Sequence, residues 1–257
     1  VANISHELKT PIGAVGLLAE ALQAASDEPD QVRRFAKRLT KESERLARIT
    51  QEIIELSRLQ AADALSKPDI VAIDEVVAQA IDQSGVLAEA HKVNLISGGT
   101  EGAEVYGDEA LLVVALHNLI SNAIRFSPDG GTVRVAAHEV TPAVEAGGSG
   151  APMIEILVED SGPGIPAADL ANLFEPFYTG SDILHHHSGT FEYGSKGIGL
   201  GLAIVRRFVE LHGGIVRAHQ IVRDGKTVGT QFQILLPVGR DPRLDSSGST
   251  MGLPAIK

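Results

Sequence analysis

The chain has 257 residues, an apolar content of 44% and a formal net charge of −11 at pH 7. This length fits one large domain or two of ordinary size, and the apolar content is typical of a globular protein. The negative charge and the lack of a basic run argue against a nucleic-acid surface, and the absence of cysteine excludes disulfides and thiolate metal sites.

No apolar run approaches the roughly 20 residues that cross a bilayer, and no signal-peptide pattern opens the chain. Together with the missing cysteines, this favours a cytoplasmic protein. Because the sequence starts at Val1 rather than at a methionine, we expect it to be a fragment. Any link to a membrane is then expected only through an N-terminal region that precedes it.

Apolar residues recur at helical spacing in the first segment, residues 1–66. One stripe begins at Ile4 and ends at Leu22, and a second begins at Val32 and ends at Leu59. Polar residues and a proline at positions 26–30 predict a turn between two antiparallel helices. Such a hairpin has little core, so pairing with a second copy into a four-helix bundle would bury both stripes. Packing on the chain's own second domain is the alternative.

His6 lies on the first predicted helix, two residues after Ile4. At 100° per residue it points about 200° away from the start of the apolar stripe, toward solvent. Glu7 follows it directly and Thr10 lies one turn later. Pro11 cannot donate to the carbonyl of Glu7 and predicts a bend below the histidine. An exposed imidazole beside a carboxylate is suited to nucleophilic chemistry.

From residue 67 to residue 238, strand and helix patterns mix. Lys67 and Pro68 indicate a linker, and residues 141–152 indicate a mobile connection. Strands are predicted near 70–73, 93–97, 132–139, 153–159, 214–222 and 230–236, and helices through 76–87, 108–126 and 200–211. This order predicts an α+β two-layer sandwich with helices over a mixed or largely antiparallel sheet. Residues 239–257 are predicted to be a disordered tail.

Asn118 and Asn122 lie one turn apart on the helix predicted over 108–126, so their amide oxygens share a face. Amide oxygens are hard ligands suited to Mg²⁺, which also binds substrate phosphates. Arg125, one turn after Asn122, adds positive charge for a phosphate. Taken alone, such a pair is more often two polar residues that face solvent.

Two glycine-containing segments complete the pattern. Asp160 ends an apolar strand and precedes Ser-Gly-Pro-Gly, so its carboxylate suits a hydrogen bond from an exocyclic amine such as that of adenine. Residues 197–201, Gly-Ile-Gly-Leu-Gly, precede an apolar helix, whose first N–H groups form an anion site. Each segment alone is often only a tight turn.

Together and in this order, these segments resemble the H, N, G1, F and G2 boxes of sensor histidine kinases of the dimerisation and histidine phosphotransfer type. The second half resembles the Bergerat ATP-binding fold shared with gyrase-type ATPases. The resemblance covers about residues 1–238. It implies an all-α phosphotransfer hairpin over 1–66, an ATP-binding catalytic domain over 67–238, and a homodimer that uses ATP and Mg²⁺. The implied activity is a protein histidine kinase whose partner is the receiver domain of a response regulator.

The resemblance also assigns roles to matching residues. His6 would accept the phosphoryl group, Glu7 would take the imidazole proton, and Thr10 would position water for dephosphorylating the regulator. Asn122 would hold Mg²⁺ and Asp160 would bind adenine. The full set of implied ATP-contact positions is Asn118, Asn122, Arg125, Phe126, Asp160, Gly162, Gly164, Lys196, Gly197, Gly199, Leu200 and Gly201.

Two departures from the family pattern concern the F box, which begins at Phe174, and the lid that follows. Thr179 stands where many relatives carry arginine, so Lys196 becomes the candidate cation of the lid. Three consecutive histidines, from His185 to His187, suggest a metal, but adjacent side chains point apart in a loop, and we favour a solvated lid.

Two other functions share part of the pattern. A gyrase-like or mismatch-repair-like ATPase needs the Asn, Asp and Gly motifs but not the hairpin with an exposed His-Glu pair. A catalytically degenerate dimeric scaffold needs the hairpin alone, and the intact downstream motifs count against it.

Overall fold

The computed structural model describes residues 2–61, 65, 68–99, 102–141, 151–178, 180 and 199–239, with the backbone alone at 2–8, 48, 51, 52 and 55–61. Several predictions on other residues therefore lie outside the described part: the connection over 142–150, Thr179, the histidines from His185 to His187, Lys196, Gly197 and the tail over 240–257.

The described residues form six α-helices and seven strands. The helices are α1 (Ala2–Ala24), α2 (Pro29–Ala61), α3 (Ile73–Ala90), α4 (Glu109–Phe126), α5 (Ala167–Leu170) and α6 (Gly201–Leu211). The strands are β1 (Asp69–Ala72), β2 (Asn94–Gly98), β3 (Glu104–Gly107), β4 (Thr132–Val140), β5 (Met153–Glu159), β6 (Ile215–Arg223) and β7 (Lys226–Pro237).

The chain divides into two compact units. One comprises Val1–Asp63 with Pro166–Ile204, and the other comprises Ala64–Ile165 with Val205–Lys257. Helix α6 contributes residues to both units. The domain limits expected from the sequence, 1–66 and 67–238, stay a prediction.

Helices α1 and α2 form the predicted hairpin, with the break between them at residues 25–28. Helix α1 continues through Pro11, which is buried. Ile49 and Ala25 are buried as well, whereas Ile12 is 57% exposed and Leu17 is 69% exposed. Among the hairpin side chains that the structure describes, Ile12 and Leu17 thus remain largely in contact with water.

The main sheet has five strands in the order β2-β4-β5-β7-β6. Strand β2 pairs parallel with β4, and the other neighbours are antiparallel. Buried residues alternate with less buried ones along β5, so one face of the sheet is covered. Helices α3 and α4 pack together and contact this sheet. The predicted helical segment followed by an α+β sheet domain is confirmed.

A second, smaller sheet pairs β1 with β3 in antiparallel register, with Val71 opposite Val105. Strand β3 and the short helix α5 had no counterpart among the predicted elements. The turn between β6 and β7 has positive φ at Asp224 and Gly225, as the Arg-Asp-Gly-Lys sequence there indicates.

Helix α4 is long and apolar enough, by length and composition alone, to cross a membrane. Half of its residues are nevertheless buried inside the protein, among them Leu116, Leu119 and Ile124. A core helix of a globular domain meets the same criterion, and the burial of α4 identifies it as one.

Candidate nucleotide-binding site

Asp160 follows β5 and carries the most constrained carboxylate of the candidate site. Its Oδ1 accepts hydrogen bonds from the backbone N–H groups of Gly162, at 2.8 Å, and Thr230, at 2.9 Å. The residue is only 7% exposed. Burial raises the pKa of Asp160, against the opposing effect of the hydrogen bonds from Gly162 and Thr230. A buried, oriented carboxylate of this kind fits the donor pattern of an exocyclic amine.

The glycines after Asp160 let the chain approach itself closely. A Cβ at Gly162 would lie 2.7 Å from the carbonyl oxygen of Phe126, at the end of α4. Gly164 has a φ of 81°, and a Cβ there would lie 2.2 Å from Cγ2 of Thr227. The glycine at position 162 therefore brings the turn after β5 against the C-terminal end of α4.

Ser161 fixes this junction with three hydrogen bonds. Its Oγ donates to the carbonyl of Thr132 at 2.8 Å and accepts from the N–H of Thr132 at 3.1 Å. Its own N–H donates to Oγ of Ser127, the residue after α4, at 3.4 Å. The turn that carries Asp160 is thus tied to both β4 and α4.

Helix α4 supplies the amide pair. Nδ2 of Asn118 donates to the carbonyl of Val114 at 3.0 Å, which leaves Oδ1 as the acceptor end of that side chain. Asn122 is half-buried, and within the described residues its side chain makes no hydrogen bond. Arg125 is half-buried on the next turn, and Phe126 is 47% exposed.

This donor set fits Mg²⁺, because amide oxygens are hard ligands and the cation completes its shell with water and phosphate oxygens. Among the described residues, no group of three or more His, Cys, Asp or Glu side chains could hold a metal ion. A Mg²⁺ site made by amide and phosphate oxygens requires no such group.

The F box and the second glycine segment meet in the other compact unit. The N–H of Phe177, which has a φ of 69°, donates to the carbonyl of Gly199 at 2.9 Å. Gly199 has a φ of 73°, and a Cβ there would lie 2.5 Å from the carbonyl oxygen of Tyr178. Only glycine fits this close approach. Leu200 is fully buried and Gly201 begins α6.

Tyr178 has a partner that the sequence did not indicate. Its hydroxyl donates to Oδ1 of the buried Asp169 at 2.6 Å, and this hydrogen bond raises the pKa of Tyr178. Thr230, which orients Asp160, was missed as well. Asp169 lies nine residues from Tyr178 and Thr230 lies 70 residues from Asp160, so no short motif contains either pair.

The predicted phosphotransfer residues all lie on α1. The helix includes His6 and Glu7, whose side chains lie outside the description, and Thr10 is exposed one turn later. In the sheet unit, Asn118, Asn122 and Phe126 all lie on α4, and the turn with Asp160 and Gly162 packs against the C-terminal end of that helix.

Comparison with known proteins identifies the class to which this arrangement belongs. Residues 107–240 match the family described as histidine kinase-, DNA gyrase B-, and HSP90-like ATPase. Residues 1–62 match the His Kinase A (phospho-acceptor) domain. The chain belongs to this ATPase family, and the two matches in this order make it a member of the two-component sensor histidine kinases.

Individual relatives agree. The sensor-like histidine kinase SenX3 of Mycolicibacterium smegmatis is 41% identical over 246 residues, which are 96% of this chain and 59% of that protein. The signal transduction histidine-protein kinase/phosphatase MprB of Mycolicibacterium paratuberculosis is 30% identical over 244 residues, 92% of this chain and 42% of that protein. The chain thus spans about half the length of the curated relatives that it matches.

A solved structure shares the fold. Histidine kinase ThkA, in its crystal structure with response regulator protein TrrA, superposes with a TM-score of 0.66 at 20% identity, covering 92% of this chain and 60% of that chain. At this identity the likeness concerns the fold alone.

Proposed function

We propose that the chain is the cytoplasmic catalytic core of a sensor kinase that phosphorylates His6 from Mg²⁺·ATP and passes the phosphoryl group to an aspartate of a response regulator. One observation carries this proposal. The turn that orients the buried Asp160 abuts the end of the helix with Asn118 and Asn122, in a chain whose first 62 residues match a phospho-acceptor domain.

The transfer step needs a nucleophile and a base on α1. Nε2 of His6 attacks the γ-phosphorus of ATP, the bond from that phosphorus to the oxygen bridging the β-phosphate breaks, and ADP leaves. Glu7 takes the proton that the imidazole loses. When bound, Mg²⁺ neutralises phosphate charge, and Asn122 would hold it with Asn118 in support.

Nucleotide recognition follows from the charge and exposure of the site residues. Asp160 accepts a hydrogen bond from the adenine amino group, and the exposed ring of Phe126 lies against the base. Arg125 contributes positive charge toward the phosphates. Gly162 and Gly164 shape the base pocket through the close approaches described above.

The second glycine segment would bind the phosphates. Gly199 and Gly201 precede or begin α6, and Leu200 anchors the segment through its burial. Lys196 and Gly197 complete the proposed contacts, with Lys196 as the lid cation. The N–H groups at the start of a helix favour an anion there.

The hairpin supports a homodimer. Ile12 and Leu17 leave most of their side-chain surface exposed in a single copy, and a second hairpin would remove this apolar surface from water in a four-helix bundle. A dimer of this kind also fits the match of residues 1–62 to the phospho-acceptor domain.

The response regulator is the proposed recipient of the phosphoryl group. A likeness to ThkA, a kinase crystallised with a response regulator, supports a receiver domain as the partner. MprB is named as both a kinase and a phosphatase. Thr10, exposed one turn after His6, is the residue that we propose to position water for the reverse, phosphatase reaction.

Incubation with γ-labelled ATP tests the proposal. We expect acid-labile, base-stable label on the wild-type protein and none on His6→Gln. His219→Gln is the matched control, because it removes an exposed imidazole from β6, and it should label like the wild type. Label that persists in His6→Gln overturns the assignment of the phosphoacceptor.

Two other outcomes would favour the competing functions. Release of phosphate without labelled protein supports a conformational ATPase of the gyrase type. A protein that binds no nucleotide supports the dimeric scaffold.

A further inference from the structure

His117 joins α3 to α4 through a chain of directed hydrogen bonds. Ser84 on α3 is fully buried, and its Oγ donates to the carbonyl of Ala80 at 2.8 Å. The same Oγ lies 3.0 Å from Nδ1 of His117 on α4. Because the single hydroxyl hydrogen is used on Ala80, Nδ1 must carry the hydrogen and donate to Ser84.

The other ring nitrogen completes the chain. Nε2 of His117 lies 3.3 Å from Oγ of Ser121, one turn further along α4. The Ser121 hydroxyl can pair with Nε2 as donor or as acceptor, so the contact holds for either protonation state of the ring. Ser121 is buried and His117 is half-buried. We call Ser84, His117 and Ser121 the α3–α4 clamp.

The clamp lies beside the amide pair in the helix. His117 immediately precedes Asn118, and Ser121 immediately precedes Asn122. Successive residues of a helix are rotated by 100°, so the clamp and the amide pair form two adjacent rows on α4. Whatever fixes the rotation of α4 at His117 therefore also fixes the direction of the two amides.

We propose that His117 is a positioning residue, which sets the rotation of α4 through Ser84 and so aims Asn118 and Asn122 at Mg²⁺. This inference rests on the proposed function. The hydrophobic contacts of α4 are non-directional, whereas the hydrogen bonds of the clamp are directional and add a specific constraint on the rotation of the helix.

The geometry makes metal binding the sensitive quantity. An amide oxygen roughly 6 Å from the helix axis moves by about 1 Å when the helix rotates by about 10°. Mg²⁺ requires ligands at about 2.0–2.1 Å in a nearly ideal octahedron, so a shift of this size removes a ligand. Asp160 is held by Gly162 and Thr230 instead, so recognition of the base does not depend on the clamp.

Three variants separate positioning from stability. Ser84→Ala breaks the clamp, because it removes the hydroxyl that contacts Nδ1 of His117. The double variant Ser84→Ala/His117→Phe replaces both partners of the bond between α3 and α4 by apolar groups, which recovers part of the lost stability without restoring the directed bond. Val76→Ala is the control, because it removes buried apolar atoms from α3 without touching a hydrogen bond.

The measurement is the affinity for the imido analogue of ATP, by calorimetry in Mg²⁺ and in EDTA, beside the midpoint of urea unfolding. Loss of a residue that orients a metal-ligating side chain typically lowers metal affinity 10- to 100-fold. Mg²⁺ should raise the affinity of the wild type for the analogue. In both clamp variants we expect this increase to be roughly tenfold smaller. Their affinity in EDTA should be unchanged, and Val76→Ala should keep the full gain.

The positioning role is overturned if Ser84→Ala keeps the full increase in affinity that Mg²⁺ causes. It is also overturned if the double variant recovers that increase together with its stability. In either case the clamp is purely structural. A wild-type protein whose affinity shows no Mg²⁺ dependence overturns the proposed function instead. The two failures are therefore distinguishable.

Discussion

The backbone N–H of Asp108 donates a 2.9 Å hydrogen bond to Nε2 of His212, across 104 residues of sequence. Nδ1 of the same ring lies 2.6 Å from the carbonyl of Phe208, one turn back in α6. Nε2 is the acceptor in the first bond, so Nδ1 carries the hydrogen and the imidazole is neutral. The ring thus ties the end of α6 to Asp108, the residue that caps the start of α4.

This neutral histidine predicts a specific loss of stability in acid. Burial lowers the pKa of His212 from its ordinary value of 6.5, although its hydrogen bonds and the charge of Asp108 oppose the shift. The unfolded protein therefore takes up the proton first as the pH falls. The contribution of His212 is fully present above pH 6.5 and is lost as the pH falls through the lower, folded-state pKa.

We expect the free energy of unfolding, measured in urea from about pH 7.5 to about pH 4.5, to fall less steeply below pH 6.5 in His212→Gln than in the wild type. The glutamine amide does not titrate. His219→Gln, which removes an exposed imidazole, should keep the wild-type slope. Equal slopes for the wild type and His212→Gln would contradict the assigned role.

Gly107 should tolerate no side chain while His212 is in place. A Cβ at Gly107 would lie 2.2 Å from Cδ2 of the His212 ring, and both groups are buried. We expect Gly107→Ala to cost about 3 kcal/mol of unfolding free energy. In a His212→Ala background the same substitution should cost much less, which a double-mutant cycle measures. Additive costs would show that the ring and Gly107 do not interact.

The sequence predicted the elements with strong local signals. Helix α4 combines an apolar stripe with Asp108, whose Oδ1 accepts from the N–H of Leu111 at 3.4 Å as an N-cap should. Strand β3 has only four residues, and its pairing with β1 joins segments far apart in sequence. Its apolar and aromatic residues, Val105 and Tyr106, are adjacent, so β3 shows no alternation of apolar and polar residues.

The residues of the candidate site likewise fall into those that belong to local motifs and those that depend on tertiary contacts. Asp160 and Asn122 belong to motifs with short, fixed spacing, so the sequence could indicate both. Thr230, which orients Asp160, and Ser84, which contacts His117, lie 70 and 33 residues away from their partners. Such contacts depend on tertiary structure, and a single sequence contains no local pattern for them. Gly162 was predicted as an ATP-contact position from its motif alone, and its close approach to the carbonyl of Phe126 is again a tertiary contact; the contact with ATP stays a prediction.

A charged residue in place of an exposed apolar residue of α1 should disrupt the proposed dimer. We expect Ile12→Glu to convert the proposed dimer to a monomer, because a second hairpin would bury the new carboxylate without a partner. Sedimentation velocity should show a dissociation constant raised at least roughly 100-fold. Lys37→Glu, on an exposed part of α2, should leave the dimer intact. A dimer that persists in Ile12→Glu would place the interface elsewhere.

We expect a substitution of Asp160 to affect ATP binding and folding stability differently. Its pKa in the folded protein lies above the ordinary value of 3.8 because the carboxyl is buried. The folded state therefore binds the proton of Asp160 more tightly than the unfolded state does. This proton binding contributes stability that is fully present below pH 3.8 and is lost as the pH rises through the folded-state pKa. At neutral pH the buried charge is a cost that Asp160→Asn removes, while the asparagine Oδ1 can still accept from Gly162 and Thr230.

We therefore expect Asp160→Asn to melt at or above the wild-type temperature at neutral pH, yet to bind ATP roughly a hundredfold more weakly, because it loses about 3 kcal/mol of charge-assisted hydrogen bonding to the base. Asp160→Ala is the contrasting variant, since it leaves the N–H groups of Gly162 and Thr230 without an acceptor, and it should lose both binding and stability. Calorimetry with ATP and thermal unfolding measure the two quantities. If Asp160→Asn bound ATP as tightly as the wild type, the negative charge of Asp160 would have no role in recognising the base.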